Sequence, residues 1–310
     1  MTAGLFTDAG LAVLKETQNG DGGWGYHPKS RSRIEPTCWA YCALSSANDS
    51  AQVSACSNAR RFLLSHQQNE GFWAASPEMK TGNWVTSLAS AVLLHEVESE
   101  KAALAGISWL CKDYPFDSSP LVRLLGSLRS KTRVSQHNDS YRGWGWTPRT
   151  SSWVEPTAFA LLALQESRVQ LFPAAASERR KLAVALLYDR MCPDGGWNCG
   201  NPRVYGVAGQ PLVLPTAWAL IALHPFPEHE CKSQSLAWLE NEVPKIESPG
   251  SLAVASMCLE TYGKKLPAAK FSLHDCSPDS LLQDGIHILA WVCLALNTNR
   301  NWPARVGETI

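Results

Sequence analysis

EPTCWAYCAL, Glu35 to Leu44, and EPTAFALLAL, Glu155 to Leu164, are two copies of one frame. Each opens with a carboxylate and Pro, places Thr third, and closes on Leu seven residues after that Thr. The same step runs from Thr86 to Leu93 and from Thr216 to Leu223; two looser copies run from Leu252 to Leu259 and from Leu289 to Leu296. Four residues before the closing Leu stand Ala40, Ala89, Ala160, Ala219, Ala255 and Val292. Small side chains at a fixed helical position let neighbouring helices approach closely. Self-similarity of this kind marks a repeat architecture.

Between the frames lie amphipathic segments at roughly 5–18, 51–67, 100–112, 176–191 and 231–242, and a sixth after Lys265 is short and poorly periodic. Six apolar helices alternating with six amphipathic ones predict an all-α fold, an α/α toroid or (α/α)6 barrel. The frames form the inner ring and the amphipathic helices the outer one. A closed ring needs no capping repeat, unlike an open solenoid. The expected plan is a single α/α-barrel domain over 1–310 with an irregular insertion at about 114–140. Strand patterns are nearly absent.

Composition narrows the function classes. With 28 basic and 28 acidic residues the formal charge is zero, which argues against a nucleic-acid binder. No run of eighteen apolar residues occurs, and MTAGLFTDAG has neither a basic n-region nor a long apolar h-region. Neither a membrane span nor a signal peptide is expected, and the expected location is cytoplasmic. Several of the ten Cys fall inside apolar runs, and CPDGGWNC carries Cys192 and Cys199; reduced thiols are expected rather than a disulfide framework.

Thirteen Trp is a high number, and many follow glycine. QNGDGGW (Gln18–Trp24) and QQNEGFW (Gln67–Trp73) share the spacing Q-x3-G-x-W, MCPDGGW (Met191–Trp197) keeps it with Met for Gln, and YRGWGW (Tyr141–Trp146) is a degenerate copy. Each follows an outer helix. Glycine ends the helix and turns the chain. The Gln is expected to bond free backbone groups at the helix end and the Trp to cover the turn, so these segments read as stabilising clasps.

RRFLLSHQQNEGFW (Arg60–Trp73) resembles the QW motif of squalene and hopene cyclases. The repeat as a whole, from about Leu5 to Leu296, resembles the terpene-cyclase and protein-prenyltransferase β-subunit superfamily. The resemblance implies the toroid and an isoprenoid substrate. Squalene cyclases have two such barrels, and this chain has length for one. Class II cyclases carry Asp-x-Asp-Asp just before the Thr-Ala of one inner helix. Here RIEPT and WVEPT set Glu35 and Glu155 at its middle Asp, with Arg33 or Trp153, and Pro36 or Pro156, at the outer two. On the rim where the prenyltransferases bind zinc through Asp, Cys and His, Glu35 takes the place of the Cys and His287 is the only rim histidine on an inner helix. No metal and no cofactor is expected.

Stepping by four from nine residues before each closing Leu follows one helix face. The top layer reads Glu35, Trp84, Glu155, Leu214, Gly250 and His287; the next reads Trp39, Leu88, Phe159, Trp218, Val254 and Trp291. If this face points to the axis, acids and a histidine stand above aromatic rings. Such rings either fill a core or line a dry cavity that attracts cationic centres. The candidate catalytic residues are Glu35, Glu155 and His287. The candidate substrate-binding residues are Trp39, Trp84, Phe159, Trp218 and Trp291, with the rim cations Arg33, Arg142 and Arg203 placed to receive an anion such as a diphosphate. A carboxylate before Pro also makes an ordinary helix start.

Three functions follow. The first is a terpene-cyclase-like enzyme acting on a polyprene or prenyl diphosphate in an aromatic-lined central cavity. The second is an (α/α)6 glycan hydrolase or lyase with Glu35 and Glu155 as acid and base, their carboxyl groups roughly 6.5–9.5 Å apart if inverting. The third is a non-catalytic lipid- or peptide-binding toroid. The expected partner is an apolar isoprenoid small molecule and no nucleic acid; peripheral membrane contact and a homo-oligomer stay open.

Overall fold

The computed structural model describes residues 3–47, 49–94, 97–115, 138, 140–165, 173–264 and 276–297. Among these are twelve α-helices: α1 Ala3–Glu16, α2 Ile34–Ser45, α3 Val53–Ser65, α4 Val85–Leu93, α5 Glu100–Lys112, α6 Val154–Gln165, α7 Pro173–Asp189, α8 Val213–Leu223, α9 Glu230–Glu242, α10 Pro249–Thr261, α11 Pro278–Asp284 and α12 Ile286–Leu296. All six frames fall on the even-numbered helices. These pack in chain order, α2 on α4, α4 on α6, α6 on α8, α8 on α10 and α10 on α12, and α12 returns to α2. The fold is an α/α toroid, with the odd-numbered helices outside. Most of the expected insertion lies outside the described residues, as does 265–275 before the short sixth outer helix.

The inner helices are apolar all round because they face the axis on one side and the outer ring on the other. Ala40, Ala89, Ala160, Ala219, Ala255 and Val292 are fully buried, so the small-residue positions are where helices meet. Outer helices show a single buried face, as in α3 with Ala55, Ala59, Phe62 and Leu63. Across the closure, Asn297 Nδ2 donates to the Ser46 carbonyl at 2.9 Å.

The clasps join the two rings through a shared set of bonds. In four copies the Trp backbone N–H donates to the frame threonine: Trp24 to Thr37 at 2.9 Å, Trp73 to Thr86 at 3.0 Å, Trp144 to Thr157 at 3.0 Å and Trp197 to Thr216 at 2.8 Å. The indole N–H of each then reaches a carbonyl in the last turn of an outer helix: Leu14 at 2.7 Å, Leu63 at 2.7 Å, Leu110 at 3.1 Å and Leu187 at 2.5 Å. It is therefore the Trp that satisfies the helix end. The Gln instead ties its turn to the next outer helix: Gln18 donates to Gly22 and Ala55 carbonyls at 2.8 and 3.0 Å, Gln67 to Gly71 and Ala102 at 2.8 and 2.7 Å. Gly22 and Gly71 have φ of +90° and +96°, and a Cβ at either would press on a backbone carbonyl of that helix at 2.6 Å; only glycine combines this conformation with this approach.

The third clasp uses another device. Arg179 of α7 is buried, donates Nη2 to the Asp113 and Gly143 carbonyls at 3.0 Å each, and lays its guanidinium over the Trp144 ring at 3.9 Å. It joins turn and next outer helix as the Gln does elsewhere.

Candidate functional site at the mouth of the ring

Helix α2 begins at Ile34 with Arg33 as N-cap, so Glu35 lies inside the first turn and does not cap the helix. Glu155 has the same place in α6. Pro36 and Pro156 sit one residue further on, where a missing N–H costs nothing. Both carboxylates are half-buried in the top layer.

The next layer meets on the axis. Trp39 lies 5.4 Å from Trp218 of the opposite inner helix, 6.2 Å from Phe159 and 5.5 Å from Trp291, centroid to centroid. Phe159 also meets Trp218 at 5.1 Å and Trp84 at 5.2 Å. With Trp39 and Trp218 each 1 % exposed, the rings fill the axis at their own level and form the floor of the mouth.

The loops bring residues that the helical period does not reveal. Two residues beyond the clasp Trp stand Tyr26, Trp146 and Cys199, each with its backbone carbonyl docked on the preceding inner helix: Ile286 N–H to Tyr26 at 2.8 Å, Trp84 N–H to Trp146 at 3.5 Å and Val154 N–H to Cys199 at 3.2 Å. The Tyr26 hydroxyl makes a short hydrogen bond to Glu35 Oε2. Trp146 in the equivalent seat packs edge-on against Trp84 at 5.2 Å. Among the described residues nothing hydrogen-bonds to the Glu155 carboxyl. The constant offset of two from each clasp Trp was the signal available in the sequence.

The two acids consequently differ. Burial raises the Glu35 pKa, while the hydrogen bonds from Tyr26 and Trp39 oppose the rise. Burial, and then repulsion from Glu35, push Glu155 from the ordinary 4.5 to about 7. Desolvation disfavours the charged form, and a nearby like charge does so again. Among the described residues, Glu155 is the member without a donor.

His287 does not reach Glu35 directly. Its ring meets the Tyr26 ring edge-on at 5.5 Å and Trp291 at 5.2 Å, so Tyr26 stands between histidine and acid. Burial first, and His27 second, lower its pKa to about 4, and it is neutral near pH 7. The three rim cations do not converge. Arg33 shares Glu78 with Arg31, bonding it at 3.2 Å. Arg142 lies over the Tyr114 ring at 5.5 Å, beside the outer-ring Arg179. Arg203 is exposed on a two-stranded hairpin, Arg203–Val204 with Val207–Ala208. Among the described residues no group of three or more His, Cys, Asp and Glu is arranged to hold a metal, and no helix is long and apolar enough to cross a membrane.

No family model matches the sequence, and no curated protein matches it. Solved structures do share the fold. A protein from Actinoplanes superposes with a TM-score of 0.64 at 17% identity, over 96% of this chain and 99% of that one. A variant of the type II terpene cyclase MstE from Scytonema, in complex with geranylgeranyl dihydroxybenzoate as substrate, gives 0.57 at 13% identity over 96% and 97%. The endo-β-1,4-glucanase CMCax from Acetobacter xylinum gives 0.57 at 10% identity over 96% and 100%. At these identities the likeness carries the fold alone.

Proposed function

We propose that the mouth is an acid–base site acting on an isoprenoid, in the manner of a terpene cyclase, with Glu155 as the acid. The observation that carries this is the asymmetry of the carboxylates above one aromatic floor: a Glu155 with no hydrogen-bond donor among the described residues, lifted to about 7 by burial and by Glu35, and a Glu35 held by Tyr26. A general acid at neutral pH needs a raised pKa, and burial plus a second carboxylate supplies it. Glu155 gives its proton to a carbon–carbon double bond, which leaves a cation on carbon and a carboxylate on Glu155. A second double bond of the same chain attacks that cation and closes a ring. Loss of a proton to Glu35 or to the new Glu155 carboxylate ends the sequence, so the product is an isomer of the substrate. Ring faces stabilise the cation in between, and Trp39, Trp84, Phe159 and Trp291 border the place where it forms. The prenylated substrate held by MstE on the same fold supports this class. His287, neutral and packed on Tyr26, has a supporting place. With Arg33 engaged by Glu78, the reading favours a substrate without a diphosphate head over one that has it.

A second reading rests on the filled axis. Because the rings meet at the level of Trp39 and Trp218, the mouth is shallow, and a sugar stacked on Trp84 or Trp146 would lie beside the same acid pair. The two are separated by supplying the full chain with a panel of linear polyprenes and, in parallel, soluble β-glucans and mannans. The expected result is an isomeric prenyl product that Glu155→Gln abolishes while melting is retained. New reducing ends with the same mutational dependence would transfer the acid pair to glycan cleavage.

A further inference from the structure

Residues 24–37 and 144–157 form one turn built twice. Lys29 and Arg149 hold φ of 62° and 63°. The Ser30 and Thr150 hydroxyls donate to His27 and Thr147 carbonyls at 2.6 and 2.7 Å. Arg33 and Trp153 N–H groups donate back to Trp24 and Trp144 carbonyls at 2.8 and 2.9 Å. A Cβ on Gly25 or on Gly145 would strike the Ser30 or Thr150 side-chain oxygen at 2.1 or 2.2 Å. Backbone, turn chemistry and acid are thus repeated, and the position two beyond the clasp Trp is where the copies part: Tyr26, bonded to Glu35, in one and Trp146, packed on Trp84, in the other.

We propose that Tyr26 is a positioning residue that divides the labour of the two glutamates: its hydroxyl fixes Glu35 as the charge-bearing member, and the hydroxyl-free Trp146 in the matching seat leaves Glu155 to carry the proton. A phenol that donates to a carboxylate favours its ionised form. The Trp146 indole is instead turned edge-on to Trp84 and has no hydroxyl to donate. The groups that act on Glu35 are Tyr26, Trp39 and the opposing Glu155, with Arg33 near the phenol and the Cys38 thiol below. Those that act on Glu155 are Glu35 and Cys199. His287, with His27 behind it, faces the ring of Tyr26. Glu35 has hydrogen bonds from Tyr26 and Trp39; of these two donors, the Tyr26 hydroxyl is the one supplied by the repeated turn. This inference rests on the pair being the acid–base site, but its test needs no substrate.

The test is a pH titration of side-chain carboxyls in the full chain labelled with 13C at glutamate Cδ, with Glu35→Gln and Glu155→Gln to assign the signals. In the parent one carboxyl should titrate near 7 and vanish in Glu155→Gln. Tyr26→Phe should move the Glu35 titration upward by about one to two pH units and the Glu155 titration downward, as the repulsion from a charged Glu35 fades. Trp146→Tyr, offered to give Glu155 a hydroxyl of its own, should lower the Glu155 titration and, through the same repulsion, move that of Glu35 upward. Unchanged titrations in a folded Tyr26→Phe would overturn the proposal. If that variant does not fold, an unmoved Glu155 in Trp146→Tyr would do the same. Turnover that depends on Glu155 but not on Tyr26 would remove the division of labour and leave the acid; shifted titrations without prenyl turnover would do the reverse.

Discussion

A carboxyl group that folding lifts from 4.5 to about 7 carries a proton in the native state that the unfolded chain has already lost. Stability from Glu155 is therefore fullest below the unfolded value, and it declines as pH rises through about 7. Glu155→Gln keeps the shape without the charge. It should melt higher than the parent above neutrality and lose that decline, as scanning calorimetry over a pH series will record. Turnover should follow the same protonated form and fall as pH rises through about 7. At this scale the acids were legible because the frame repeats them. Tyr26 was not: a loop side chain points where the φ and ψ of its turn send it, and no period announces that. Arg33 looked free because its partner, Glu78, comes from the following loop, about forty-five positions away in sequence.

Helix, clasp and frame answer to one another through the threonines. Thr37→Val and Thr86→Val each strand a buried Trp N–H, which costs about 1–3 kcal/mol. Trp24→Ala and Trp73→Ala remove fully buried rings and the bonds that finish α1 and α3, at about 3–5 kcal/mol each. Denaturant midpoints of the four variants check both, and parent-like midpoints for the two Trp variants would refute the clasp. The clasps do bond turn to helix, with the parts expected of Gln and Trp exchanged. Two bonds from one amide, to the turn and to the next helix, cannot be inferred from the spacing Q-x3-G-x-W. Arg179 was missed for a related reason. It replaces a glutamine from a helix that follows the turn in the chain, so no motif spacing links it to Trp144.

At the largest scale the six inner helices close on one another, α12 against α2. Small residues at equal intervals marked the inner helices, although their apolar surfaces, buried on every side, give no direction of their own; the repeat count then required closure. What counting could not fix is how rings of this size share the axis. The sequence allowed either a chamber or a filled core, and contact between Trp39 and Trp218 across the axis fills that layer and sets the acids on a floor. Because α12 completes the ring against α2 and brings Trp291 to Trp39, a chain ending at Thr261 should lose its sharp denaturant transition and bind a hydrophobic dye. A cooperative, dye-free truncated chain would mean that five-sixths of the ring folds alone.

The central claim, a proton delivered by Glu155 to an isoprenoid, is tested most directly in heavy water. A linear polyprene incubated there with the intact chain should yield an isomer with deuterium from solvent bound to carbon, read by mass spectrometry, and Glu155→Gln should yield none. Prenyl turnover without solvent deuterium, or labelling that persists in Glu155→Gln, would contradict it.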